Sequence, residues 1–401
     1  MTQLQTIVDQ YILPCLPGML IALAVLTGVF FFFAQCCAAA RPRKGSLEWV
    51  ALQEQTPFSF TLPRQSALDF GEDQTVTVTL SQEIRLTKLA YFSNLGTGDY
   101  NVELSEDGQT WYTLWQKEED GEDVWYWADA EGYDPSYALP QKYNDLFKWQ
   151  TVEPTNPQDI KYLRITGRAD KGLLELGELA LYDENGLIDL TGLTTGGDAL
   201  FDEQDTVPEL STWYNSAYFD EIYHPRTALE HIEGVYPYEV SHPPLGKLTM
   251  SLGILLFGMT PFGWRFVGTL LGVLMLPILY IFLKNLFGKR AVAACGTILF
   301  AVDFMHLTQT RIGTIDTYGV FYILLMYYFL YRWLTLAPGT PFRRCALPLF
   351  LSGLFWGIGA ASKWTVIYGA VGLAILYFIG LFSKLRDWPA EATGKLPWLW
   401  K

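Results

Sequence analysis

The sequence predicts a polytopic α-helical membrane protein with an all-β domain inserted in its first outer loop. Three observations carry that prediction. Charge is split: the 401-residue chain has a formal net charge of −14, yet residues 46–240 hold 37 acidic against 11 basic side chains and the remainder nets +12. An asymmetry of this size places the two parts in different environments. Apolar runs of about 20 residues, the length a bilayer core requires, recur outside the acidic block. Inside it, apolar and polar residues alternate with period two, as in a strand with one wet face.

Six spans are expected. The first, "GMLIALAVLTGVFFFFAQCCAAA", starts at Gly18; its length and the absence of a preceding Lys or Arg argue against a cleaved signal peptide. The next runs from Trp264 to Leu283, followed by 291–307, 314–334, 346–361 and 364–382. Alternate short loops at 284–290, 331–345 and 383–386 are basic, which makes them cytoplasmic and the acidic block extracytoplasmic. The "RPRK" segment at 41–44 points the other way and is outweighed by the three later loops. All five cysteines (15, 36, 37, 295 and 345) lie in or beside spans, so the acidic block folds without disulfides.

Within that block "QTVTVTL" (74–80) reads as a strand. Residues 99–116 read as two strands around a Glu-Asp-Gly turn, with Gly108 supplying the permissive backbone. Residues 160–167 and 175–183 add two more, which suggests a sandwich or jelly roll. The aromatic run at 124–137 reads either as a stacking platform for sugar rings or as a long loop folded over the sandwich. Residues 191–212, polar and Gly-rich, read as a linker.

The chemistry-bearing residues follow. Asp220 and Glu221 are adjacent carboxylates; an Asp there can act as a general base toward a hydroxyl if partial burial tunes it, and the pair would equally suit a helix N-terminus. In "HPPLGK" (242–247) two prolines exclude helix and fix an extended entry. The following "LGKLTMSLGILLFG" is too short to span and should lie along the outer interface, holding His242 and Lys247 at headgroup level. A Lys there can also merely snorkel. Residues 301–321 bring Asp303, His306, Arg311 and Asp316 to membrane depth, where charge is costly and usually paired or functional. A third outer loop brings Lys363 with Trp364. Three cations from three loops, Lys247, Arg311 and Lys363, suit an anionic lipid-linked substrate and a phosphate leaving group. His224, His231 and His242 leave a divalent metal open, although their spacing matches no standard zinc pattern. No nucleotide-binding signature occurs, and no nucleic-acid partner is expected.

Two resemblances rest on these residues. "VELSEDGQTWYTL", "KYLRITG" and "LELGELALYDENG" resemble a discoidin or coagulation-factor type C domain. The resemblance implies a galactose-binding-like jelly roll, sugar binding at the loop end and a structural calcium ion. "FDE", "HPPLGK", "GWR" (263–265), "QTRIGTID" and "ASKW", in that order, resemble the N-terminal half of protein O-mannosyltransferases, polytopic glycosyltransferases of the GT-C type. That resemblance implies inverting transfer of mannose from a polyprenyl-phosphate donor to Ser or Thr hydroxyls at the outer membrane face, with no cofactor required. Asp220 then matches the catalytic base and Glu221 its companion. His242 and Lys247 lie at the donor. Arg311, Asp316, Lys363 and Trp364 match the charged residues and Lys-Trp pair of later outer loops, with Arg311 and Lys363 expected to contact the donor phosphate.

Such enzymes carry about twice as many spans, so the chain is expected to be a truncated product or one half of a split enzyme, with a second chain supplying further helices. A β module in the first loop favours a bacterial relative and leaves the acceptor open between proteins and a cell-envelope glycan or lipid. A reading from another class is a non-catalytic, membrane-anchored glycan receptor. The expected organisation is 1–47 with the first span, 48–190 β-sandwich, 191–212 linker, 213–260 outer catalytic loop, 261–385 five further spans and 386–401 tail, in the plasma membrane.

Overall fold

The computed structural model describes residues 67–387 apart from 72–73, 120–121, 131–138, 211 and 213. The span expected from Gly18, the "RPRK" segment, the second half of the aromatic run and the tail from 388 lie outside the described residues. The described chain divides into two compact units: 67–226 with Leu255–Gly263, and Thr227–Ile254 with 264–387.

The first unit is built on strands β1 (Leu68–Asp69), β2 (Thr75–Leu86), β3 (Lys88–Ser105), β4 (Tyr112–Glu119), β5 (Glu122–Asp129), β6 (Leu139–Gln141), β7 (Trp149–Val152), β8 (Gln158–Asp183), β9 (Gly186–Leu187) and β10 (Thr194–Thr195). All pairings are antiparallel, in the order β10-β2-β8-β3-β4-β5, with β1 and β9 on β8 and β6 and β7 on β3. The period-two alternation of β2 is realised: Val78, Leu80, Ile84 and Leu86 enter the core. The turn after β3 also forms as expected, with Gly108 at φ 76° and the Asp107 carboxylate accepting the Gln109 and Thr110 N–H groups at 2.8 Å.

Three expectations differ from the structure. The strands read at 160–167 and 175–183 are halves of one strand, β8, which runs unbroken beside β3. The pair absorbs its irregularity as register shifts between Phe92 and Gly98, which bend the strands instead of ending them. Gly96 makes this fit: its φ is 94°, and a Cβ there would lie 2.0 Å from the Leu173 carbonyl oxygen. The first part of the aromatic run is strand β5, and its Trp127 belongs to the core, with its backbone N–H donating to Asn156 Oδ1 at 2.7 Å. Residues 191–212 are packed onto the sheet: β10 pairs with β2, and Leu200 and Phe201 are core residues. Glu178, buried on β8, accepts the Gln204 side-chain amide at 2.5 Å and the Glu203 N–H at 3.3 Å.

The helices are α1 (His224–Glu233), α2 (Leu245–Phe257), α3 (Pro261–Phe287), α4 (Arg290–Ala301), α5 (Phe304–Gln309), α6 (Asp316–Leu334), α7 (Phe342–Ser362) and α8 (Thr365–Arg386). Among the described residues three are long and apolar enough to cross a membrane: Pro261–Phe287, Arg343–Ser362 and Thr365–Arg386. Five spans were expected here. The run at 291–307 does not form one helix: α4 ends at Ala301, and Asp303 caps α5 by accepting the His306 N–H at 3.1 Å. Twelve residues rise about 18 Å, short of a hydrocarbon core of about 30 Å. Helix α6 has 19 residues, but five tyrosines lower its apolarity. As expected from its length, the segment after "HPP" is a single 13-residue helix, α2.

Small residues let α6, α7 and α8 approach closely, the packing that helices use where burial from water drives nothing. A Cβ on Gly359, Gly369 or Gly380 would fall 2.8, 2.5 or 2.1 Å from Tyr322 or Val366, Met326 and Leu334 respectively. Buried Ser352 donates to the Met326 carbonyl at 2.8 Å. On α8, Val371, Ile375 and Ile379 are exposed at a spacing of four, an apolar stripe suited to lipid. The basic loops gather at one end: Lys384 bonds the Leu334 carbonyl at 3.1 Å, and Tyr331 Oη bonds the Asn285 carbonyl at 2.6 Å. The "HPPLGK", "QTRIGTID" and "ASKW" loops gather at the other.

Candidate active site

The "HPPLGK" loop is assembled around a carboxylate that the sequence reading passed over, Glu239. Helix α1 sets its position: buried Glu230 accepts the Tyr238 N–H at 2.6 Å, and buried Thr227 Oγ1 accepts the Glu239 N–H at 3.3 Å. The Glu239 side chain then accepts from Lys247 Nζ at 2.5 Å, from the His242 N–H at 3.1 Å, and from both the N–H and the hydroxyl of Ser241. Its Oε1 also lies 3.2 Å from His242 Nδ1. Burial would raise the Glu239 carboxyl, but the hydrogen bonds from Lys247 and Ser241 and the Lys247 charge overcome it and hold it at about 2.

Lys247 is 1 % exposed. Its ammonium also bonds the Glu239 carbonyl at 2.7 Å and the His242 carbonyl at 3.3 Å. An ammonium has three donors, and here all three close the loop on itself. This placement suits Lys247 to fixing the loop; no donor is left to meet a phosphate. His242 is partly exposed at the loop's edge.

The three motif loops meet. Gly246 lies against Ile315 and the Ser362 carbonyl, each 3.0 Å from where its Cβ would be, so any side chain there would push the loops apart. Trp364 Nε1 donates to the Ser241 carbonyl at 2.7 Å across this junction. Lys363 pairs with Asp316, which begins α6. Arg311 is exposed and enters no ion pair among the described residues. Of the three expected cations, then, Lys247 is buried and consumed, Lys363 is paired, and Arg311 is exposed.

The carboxylate turn is built in the other unit. Phe219–Ile222 forms a single 3-10 turn, and Glu221, fully buried, accepts the Tyr218 N–H at 2.8 Å. Glu221 therefore braces its own turn, while Asp220 is partly exposed. The expected companion pair is divided into a structural carboxylate and an accessible one. Phe219 adopts φ 52°, a conformation costly for a bulky residue.

Sequence reasoning missed Glu239, Thr227 and Glu230. The signal was an acid eight residues before Lys247, which means nothing until the prolines fold the segment back. Among the described residues no three His, Cys, Asp or Glu side chains come together to hold a metal ion.

No solved structure matches the chain. It is 28% identical over 221 residues to the polyprenol-phosphate-mannose–protein mannosyltransferase of Corynebacterium glutamicum, covering 49% of this chain and 39% of the relative. With the protein of the same name from Mycobacterium tuberculosis it shares 25% over 230 residues, 53% of this chain and 41% of the relative. With dolichyl-phosphate-mannose–protein mannosyltransferase 1 of Saccharomyces cerevisiae it shares 27% over 194 residues, 44% and 22% respectively. The chain thus spans well under half the length of these relatives. Residues 241–398, which include all three motif loops of the helical unit, match the family described as dolichyl-phosphate-mannose-protein mannosyltransferase.

Proposed function

We propose that the chain carries out, or contributes the N-terminal part of, transfer of mannose from a polyprenyl-phosphate donor to Ser or Thr hydroxyls of proteins. The observation that carries this reading is the junction of three motif loops at one end of the helices, closed by Glu239–Lys247 and Trp364–Ser241 and presenting Arg311. The family match over those loops supports it. In the reaction, Asp220 takes the proton of the acceptor hydroxyl. The oxygen attacks the anomeric carbon as the bond from that carbon to the phosphate oxygen breaks, inverting the centre. The lipid phosphate departs with the bonding pair, and the Arg311 guanidinium neutralises the charge it gains. Lys363, oriented by Asp316, supplies a second cation at the same loops. Lys247 and Trp364 hold the loops in register, and His242 edges the donor side.

The acidic block is extracytoplasmic in this reading, as the positive-inside pattern requires, and the enzyme lies in the plasma membrane. The β unit, with its resemblance to discoidin domains, is a jelly roll in the first outer loop that engages the acceptor or its glycans.

The test is mannose transfer in membranes containing the chain, with polyprenyl-phosphate-mannose and a Ser/Thr-rich peptide. The natural chain is expected to mannosylate the peptide. Arg311→Ala should raise the donor KM by about tenfold or more, the worth of one charge-assisted hydrogen bond. Mannose appearing on envelope glycan or lipid and never on peptide would overturn the acceptor; an unchanged donor KM would remove Arg311 from the phosphate.

A further inference from the structure

The carboxylate turn belongs to the same compact unit as the sheet, and one sheet loop holds it. That loop is the 3-10 turn Tyr143–Asp145 with Leu146–Lys148, between β6 and β7. Phe147 is its centre. Fully buried, it adopts φ 56°; Phe147 and Phe219 are the two non-glycine residues with positive φ among the described residues. A bulky residue in that region is strained and persists only where its surroundings over-determine it.

Those surroundings are explicit. The Phe147 N–H donates to the Ser93 carbonyl on β3 at 2.8 Å, and Ser93 Oγ donates to the Asp145 carbonyl at 2.7 Å. The turn is thereby fixed to the central strand. The flipped Phe147 carbonyl accepts the Ala217 N–H at 2.9 Å, three residues before Asp220. Next to it the Trp149 N–H donates to Ser216 Oγ at 3.3 Å. Past the carboxylates, buried Arg226 lays its guanidinium 4.4 Å above the Tyr143 ring. One sheet loop therefore grips the acidic segment on both sides of Asp220, and Glu221 locks the turn between the grips.

We propose that loop 142–149 of the β unit is a positioning element for the Asp220 turn, with Phe147, Ser216 and the Tyr143–Arg226 stack as positioning residues, so that the β unit is an integral part of the reaction's machinery. This rests on the reading of Asp220 as the base. A separable glycan-binding module would have no cause to hold the acidic segment in this way. The Phe147 conformation aims a carbonyl at Ala217 that an extended residue would point elsewhere, and this is the use to which the strain is put.

The test compares Tyr143→Ala, Tyr143→Phe and Ser216→Ala in the full chain, reading amide hydrogen exchange at Ala217 and at Tyr223, whose N–H donates to the Asp220 carbonyl at 3.0 Å, together with kcat and donor KM for mannose transfer. Tyr143→Ala is expected to speed exchange at both amides by about tenfold, the scale of a lost cation–π contact, and to lower kcat by a similar factor with donor KM unchanged. Tyr143→Phe keeps the ring face and should restore both readouts. Ser216→Ala should move both the same way by a smaller factor. Unchanged exchange in Tyr143→Ala overturns the proposal. So does faster exchange with unchanged kcat in membranes where Asp220→Asn abolishes transfer, because the loop is then only structural. If Asp220→Asn retains transfer, the assignment of the base fails instead, and exchange alone judges whether the loop holds the turn.

Discussion

In the β unit the Asp220 turn rests on main-chain and ring contacts, Ala217 on Phe147, Ser216 on Trp149 and Arg226 on Tyr143. In the helical unit the motif loop is closed by charge, with a buried ammonium and a carboxylate inside one short segment. The first arrangement stores strain at Phe147 and Phe219, and its one named charge, the Arg226 guanidinium, stays protonated across the ordinary pH range. The second stores no backbone strain and depends on every donor and acceptor being used. Strain tolerates changes of pH and fails when packing is lost. A buried ion pair tolerates no loss of either member, because the survivor is left unpaired.

The largest expected effect breaks the charged closure. Lys247→Met strands the Glu239 carboxylate and should cost about 3–5 kcal/mol, read as earlier thermal unfolding of the chain in detergent. Adding Glu239→Gln should return part of that loss, and a double variant no better than the single one would argue that the pair is not coupled. The pH sense follows from Glu239: its folded value, about 2, is below its ordinary 4.5, so the stabilisation is present above about pH 4.5 and disappears as pH falls through about 2.

Next in size is the strain side of the comparison. Gly96→Ala puts a methyl against the Leu173 carbonyl at a φ of 94° and should cost ~2 kcal/mol or more, seen as a lower midpoint for the strand signal in circular dichroism. A midpoint equal to the natural chain's would show that the bend between β3 and β8 adapts.

The smallest effect sharpens the contrast within the β unit, whose buried acid Glu178 is paired with an amide and no cation. Burial, against the hydrogen bonds of Gln204 and the Glu203 N–H, pushes its carboxyl up to about 8. The folded chain then binds more protons than the unfolded one between about pH 4.5 and 8, so stability falls as pH rises through that window. Glu178→Gln should flatten this dependence and raise Tm at pH 8 by about 2–4 °C, the shift of ~1 kcal/mol in a domain of this size. A steeper dependence in the variant would reverse the sign of the argument.

The comparison also explains what could be read in advance. The alternation that buries Val78 and Leu80 is local, so β2 was legible. The continuity of β8 was not, because "GRADKGLL" reads as a break and only pairing with β3 carries the strand through. Residues 191–212 look like linker, since two apolar residues, Leu200 and Phe201, carry their attachment. The motif loops were legible as a set, yet composition alone gave Lys247, Arg311 and Lys363 equal standing. Which cation is spent, which is paired and which is open depends on Glu239 and Asp316, whose partners are fixed by folding. The division of Asp220 from Glu221 likewise depends on a backbone N–H, that of Tyr218.

The central claim is that Asp220 is the reacting carboxylate and Glu221 its brace. The most direct measurement is kcat for mannose transfer by Asp220→Asn and Glu221→Gln in the same membranes, with exchange at the Tyr218 amide followed in parallel. Asp220→Asn should lower kcat by about 10²–10⁴, the contribution of a positioned base, with Tyr218 protected as in the natural chain. Glu221→Gln keeps a side-chain oxygen for the Tyr218 N–H and should hold both protection there and kcat within a few-fold of the natural chain. Asp220→Asn retaining kcat within a few-fold, or Glu221→Gln losing all activity with Tyr218 still protected, would contradict the account.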